Sequence, residues 1–175
     1  MQIELRKGMN LYPGTFNAVI APEKVMVSAI NSNAELQRFL FLYISGNYSR
    51  ILSGVNRTSK NFDVQRAFTA HQLFSILKEA GHTVILVEHD PTLFEGAEKM
   101  LLPVAGALKD AGRESLVILY TPAIDQVFSS LMRRADRIIE IASADELSVR
   151  EPVRNIHRQR NGGPILKGQR TLEVS

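Results

Sequence analysis

At 175 residues the chain can bury one ordinary hydrophobic core, so neither disulfides nor a structural metal is needed to hold it together. A hydrophobic fraction of 45% argues against wholesale disorder, and the absence of cysteine excludes disulfides, cysteine-based zinc sites and thiol chemistry. The net charge of +3 is too small to imply nucleic acid by itself. No apolar run reaches membrane-spanning length, and residues 1–7 lack the core of a signal peptide, so a cytoplasmic protein with no membrane contact is expected.

Residues 1–22 offer turn signals at Pro13-Gly14 and Pro22 but no clear element. The first strand is expected at residues 24–30, Lys24-Val25-Met26-Val27-Ser28-Ala29-Ile30, a compact apolar run of the kind buried in parallel sheets. Asn31-Ser32-Asn33 then leads into an expected helix, with Ser32 and Glu35 at capping-box spacing. Leu36, Phe39, Leu40 and Tyr43 share one helical face there, and Gly46-Asn47 ends it. A short strand at residues 50–53 and a polar loop over 54–61 precede a helix carrying Ala70, Leu73, Phe74, Ile76 and Leu77. Gly81 is suited to stop that helix.

The strongest strand is Thr83-Val84-Ile85-Leu86-Val87, closing on Glu88-His89-Asp90-Pro91. Helical spacing over 92–111 predicts a helix that Pro103 should kink or split. A strand at 116–120, a helix capped by Asp125 and a last strand at 137–141 complete the pattern. Strands alternating with helices require crossover connections, hence an α/β domain with a mostly parallel central sheet flanked by helices in three layers. This domain is expected over residues 1–142, followed by a polar, basic extension over 143–175 that is partly irregular.

Ligands of open α/β sheets bind beyond the carboxyl ends of the strands. An NTP-binding loop at the first strand would read G-x-x-x-x-G-K-[ST], so that backbone N–H groups and a lysine cradle the phosphates. Asn31, Ser32 and Asn33 occupy that place in this reading and carry none of the motif, which occurs nowhere else in the chain. Glu88 and Asp90 could orient Mg²⁺, or simply cap the helix beginning near Thr92. Thr121 could face a γ-phosphate, or only form a turn. His71, His82, His89 and His157 show no metal-ligand spacing. Neither ATP nor Mg²⁺ is an expected cofactor, and no catalytic residue can be singled out. In the extension, Arg154, His157, Arg158, Arg160, Lys167 and Arg170 could contact the phosphates of nucleic acid, or could be a solvated basic terminus.

Residues 64–73, Val64-Gln65-Arg66-Ala67-Phe68-Thr69-Ala70-His71-Gln72-Leu73, resemble a segment of the archaeal RadA/RadB group of RecA-like recombinase paralogues, as does the Val84-to-Glu88 strand. Residues 116–122 and 135–139 are similar to that group's later core strands. The resemblance covers roughly residues 23–142. It implies a RecA-like fold with Glu88 in the Walker B position and a degenerate Walker A at residues 31–36. It further implies a non-hydrolysing partner in DNA recombination or repair, associating with a RecA-type protein or with copies of itself. Two alternatives are an ATP-binding enzyme with an atypical phosphate loop and a nucleic-acid-binding protein acting through its tail. ABC ATPases are a weaker likeness, through Leu52-Ser53-Gly54 and Glu88-His89-Asp90.

Overall fold

The computed structural model describes residues 3–142. The chain opens with an antiparallel hairpin, β1 (Ile3–Arg6) and β2 (Met9–Leu11). It continues through β3 (Thr15–Ile20), α1 (Glu23–Ser32), β4 (Phe41–Ser45), β5 (Phe62–Arg66), α2 (Ala70–Glu79) and β6 (Val84–Glu88). The remaining elements are α3 (Leu101–Ala111), β7 (Leu116–Thr121), α4 (Gln126–Leu131) and β8 (Arg137–Glu140). The six later strands form one sheet in the order β5-β4-β6-β7-β3-β8, and every neighbouring pair is parallel.

The sheet divides two apolar cores, because successive side chains of a strand point to opposite faces. Val19, Phe41, Tyr43, Leu86, Ile118 and Tyr120 face α1 and the hairpin. Ala18, Leu42, Ile44, Ile85, Val87 and Leu119 face α2, α3 and α4. The central strands are buried on both sides, which explains their unbroken apolar sequences. The result is the three-layer α/β arrangement with a parallel sheet that the alternation of elements predicts.

The first half of the chain departs from its sequence pattern. Residues 24–30 are helix α1, not a strand: Met26, Ala29 and Ile30 are its buried residues, at helical spacing. Lys24 and Ser28 lie on its exposed side, a polar repeat of four that the run of Val and Met masks. The expected helix after residue 33 is one 3₁₀ stretch, Ala34–Arg38, whose N-cap Asn33 makes no side-chain capping bond. Leu40 is exposed and Tyr43 lies in strand β4, whose five residues are all buried.

The first strand of the sheet is β3, in the region where no element was legible, and it lies between β7 and β8. No strand forms at 50–53, where bends and a 3₁₀ turn occur, whereas residues 62–66, in which polar and apolar side chains alternate only partly, form edge strand β5. Residues 92–111 are two 3₁₀ turns and α3 rather than one helix. Pro103 is the third residue of α3, where the N–H it lacks would have no intrahelical acceptor, so it neither kinks nor splits the helix. Helix α2 ends at Glu79, short of Gly81.

Candidate functional site

Every strand of a parallel sheet ends at the same rim, so the ends of β3, β4, β6 and β7 stand side by side and define the site to inspect. At β6, Glu88 is 3% exposed and its carboxylate is fully engaged. One oxygen accepts from the Tyr43 hydroxyl and from Ser49 Oγ at 2.6 Å; the other accepts the Arg50 N–H at 2.6 Å. Asp90 is treated the same way. Its Oδ2 accepts the N–H groups of Asn47 at 2.8 Å and Tyr48 at 3.4 Å, while Oδ1 accepts from Thr92 N–H at 3.0 Å and Thr92 Oγ1 at 2.7 Å. The two carboxylates therefore tie residues 47–50 to the end of β6.

The electrostatics follow from these contacts. Burial acts to raise the Asp90 carboxyl, but the bonds from Thr92, Tyr48 and Asn47 outweigh it and hold the group below its ordinary range. Burial and the bond to Glu88 push the Tyr43 hydroxyl far upward, so it stays a donor. Burial, then the charges of Glu23 and Glu88, raise Tyr120 likewise. Asp90 tolerates no side chain opposite: a Cβ at Gly46 would run into its Cβ and carboxyl group.

Between these residues and β7 lies a second pair. His89 Nε2 is 2.7 Å from Asp125 Oδ2, and the His89 and Phe128 rings meet in a T-shaped arrangement at a centroid distance of 5.3 Å. Asp125 also caps α4 by accepting the Phe128 N–H at 2.7 Å. Burial lowers the His89 pKa below its usual 6.5, against the opposing pull of Asp125. Thr121 turns back on the chain, donating to Ala123 C=O at 2.6 Å and accepting the Ala123 N–H at 3.3 Å.

At β3 the rim carries no loop at all. Only Ala21 and Pro22 separate the strand from α1, and Glu23 puts a carboxylate in the first turn of that helix. The Ala21 N–H is bonded to Thr121 C=O at 3.2 Å, its carbonyl accepts from Tyr120 Oη at 3.2 Å, and Pro22 has no N–H to give. A phosphate there would meet the Glu23 carboxylate, itself 3.8 Å from the Arg50 guanidinium, and too few free backbone donors to wrap it. Among the described residues, no group of three or more His, Asp and Glu side chains is placed to hold a metal ion. No helix among them is long and apolar enough to cross a membrane.

An uncharacterized protein of Archaeoglobus fulgidus is 36% identical over 162 residues, spanning 92% of this chain and 83% of that protein. The chain belongs to this protein's family. No family model matches the chain.

Within this family member, the residues expected to form one nucleotide site fall at two ends of the sheet. Glu88, Asp90 and Thr121 meet at the rim. Asn31, Ser32 and Asn33 do not, because α1 is a helix that starts at the rim and runs back along the sheet for about 15 Å. Asn31 instead holds the return loop, donating to Gly54 C=O at 2.9 Å and accepting the Asn56 N–H at 2.8 Å. Tyr43, Ser49, Arg50, Asn47 and the His89–Asp125 pair escaped the sequence reading. Only an unusual cluster of polar residues directly after Ile44 and Val87 hinted at them. Arg154, His157, Arg158, Arg160, Lys167 and Arg170 lie outside the described residues.

Proposed function

We propose that this chain is a catalytically degenerate RecA/RadA-like paralogue, a non-hydrolysing binding or assembly partner in DNA recombination or repair. The observation that carries the non-hydrolysing part is the two-residue β3–α1 connection, Ala21-Pro22, followed by Glu23. It has no glycine-rich loop of backbone donors and no loop lysine to wrap a triphosphate, although Lys24 follows it and Arg50 pairs with Glu23 beside it. The carboxylate expected to orient Mg²⁺ is consistent with this, since both of its oxygens already accept protein donors, from Tyr43, Ser49 and Arg50. The recombination part rests on the resemblance of residues 64–73 and 84–88, which form the end of β5, the start of α2, and β6.

Two measurements test the reading. Calorimetric titration with ATP and Mg²⁺ should give no binding heat, and phosphate release should stay at the buffer rate. Turnover that Glu88→Gln abolishes would sink it in favour of an enzyme with an atypical phosphate loop. In a defined mixture with a purified archaeal RadA-type recombinase, the chain should bind and alter strand exchange; absence of both effects removes the recombination role.

A further inference from the structure

The two edges of the sheet are finished differently. At β8, Arg137 Nη1 reaches Asn10 C=O at 2.7 Å, so the hairpin lies against that side. At β5, no strand pairs with the outer side among the described residues, and four of its five residues are exposed. The bonds at either end, Phe41 N–H to Asn61 C=O and Ala67 N–H to Ser45 C=O, fix which backbone groups face β4. They belong to odd-numbered residues. Phe62, Val64 and Arg66 therefore turn their N–H and C=O groups outward, because alternate residues of a strand bond to opposite sides.

Natural sheets usually blunt such an edge with charged residues, lysine above all, with proline or with a bulge. This one, Phe62-Asp63-Val64-Gln65-Arg66, has no proline, lysine or bulge and pairs with β4 in unbroken register; its two charges, Asp63 and Arg66, are of opposite sign. It also leaves Val64 41% and the following Phe68 57% exposed.

We propose that β5 pairs antiparallel with β5 of a second copy of this chain, about a two-fold axis passing between the two Val64 residues. An axis perpendicular to the sheet keeps opposite residues on the same face, which restricts the pairing to partners of equal parity. Centred on Val64, it places all three outward-facing residues in hydrogen-bonded pairs. Val64 meets Val64, and Phe62 meets Arg66 in both directions.

The side chains suit this register. Two Val side chains abut, and each Arg66 guanidinium reaches a Phe62 ring, which is already stacked on Phe41 at 4.8 Å. Asp63 lies opposite Gln65, so no like charges are opposed. Asp63 keeps its 2.9 Å contact with His82 Nε2 on its own chain. The inference rests on this geometry and is independent of the RecA-like reading.

Sedimentation of the full chain tests it. The wild type should show a reversible monomer–dimer equilibrium populated by roughly 100 µM, within the range of small, weak interfaces. Val64→Pro removes only an outward N–H and leaves the β4 ladder intact, so it should weaken association at least about tenfold, two symmetric bonds being lost. Val64→Lys, which opposes two charges on the axis, should do the same if the proline variant fails to fold. A wild type that stays monomeric would overturn the proposal. So would dimers that persist in both variants, or an edge that captures an extended peptide of another protein while the chain itself stays monomeric.

Discussion

Glu88 and Asp90, two residues apart at the end of β6, each accept several hydrogen bonds from neighbouring protein donors. Replacing Glu88 by Gln keeps the shape but turns an amide toward groups that need an acceptor. We expect a loss of about 1–3 kcal/mol in denaturant unfolding, with no gain or loss of ATP turnover. Gly46→Ala should cost a similar amount, about 1–3 kcal/mol, because Asp90 and its bonded loop would have to shift. His89 supplies the pH dependence. Its folded pKa lies below 6.5, so an unfolded chain takes up the proton first as the pH falls. Its contribution is complete above about 6.5 and is lost as the pH drops toward the folded value. Thermal melts between pH 7.5 and 5 should therefore decline in the wild type and decline less in His89→Gln. The Asp90 contribution has the same sign at lower pH: it is complete above the ordinary 3.8 and fades as the pH falls through the depressed folded value.

Among elements, the caps show how local chemistry and tertiary contact combine. Thr69 caps α2 by accepting the Gln72 N–H at 3.2 Å, and Thr69→Ala should cost about 1 kcal/mol. Asp125 has two tasks, capping α4 and pairing with buried His89. Asp125→Ala should accordingly cost more than Thr69→Ala, about 2 kcal/mol, and a double-mutant cycle with His89→Gln should show coupling. The caps at Asp90 and Asp125 and most of the second half of the chain were legible because their signals are local. Asp125 before an apolar periodic run is one; the β-branched runs of β6, β7 and β8 are others. The first half misled for an equally physical reason. Residues 24–30 are as apolar as a strand, and only burial against the hairpin and sheet selects the helix that Met26, Ala29 and Ile30 permit. Phe41-Leu42-Tyr43-Ile44 reads as helix or strand alike until both of its faces are seen to be covered.

For the molecule as a whole, the arrangement of the rim decides what it can bind. A ligand that binds only the folded state stabilises it by RT ln(1 + c/Kd) at free concentration c, so the melting temperature rises once that concentration exceeds Kd. Millimolar ATP with Mg²⁺ should leave the melting curve of this protein unmoved; a rise of several degrees would mean that a phosphate site exists after all. The proposed β5 pairing makes the opposite forecast for protein concentration, because a dimer coupled to folding melts at a higher temperature as it is concentrated.

From the residue string alone come the α/β alternation, the parallel sheet, the absence of any phosphate-loop motif and the carboxylates closing β6. Each is a matter of local pattern or composition, and none requires knowing which residues are neighbours. Tertiary structure decided the rest. It showed β3 to be an interior strand although its sequence is broken by Asn17, and β5 to be an edge. It moved Asn31, Ser32 and Asn33 from the rim to the far end of the sheet, because making residues 24–30 a helix reverses the direction in which the chain travels. It also found the donors that occupy Glu88 and Asp90 in β4 and the loop after it, some forty residues earlier in the chain. A carboxylate's availability depends on what lies across the sheet from it, and sequence order does not record that.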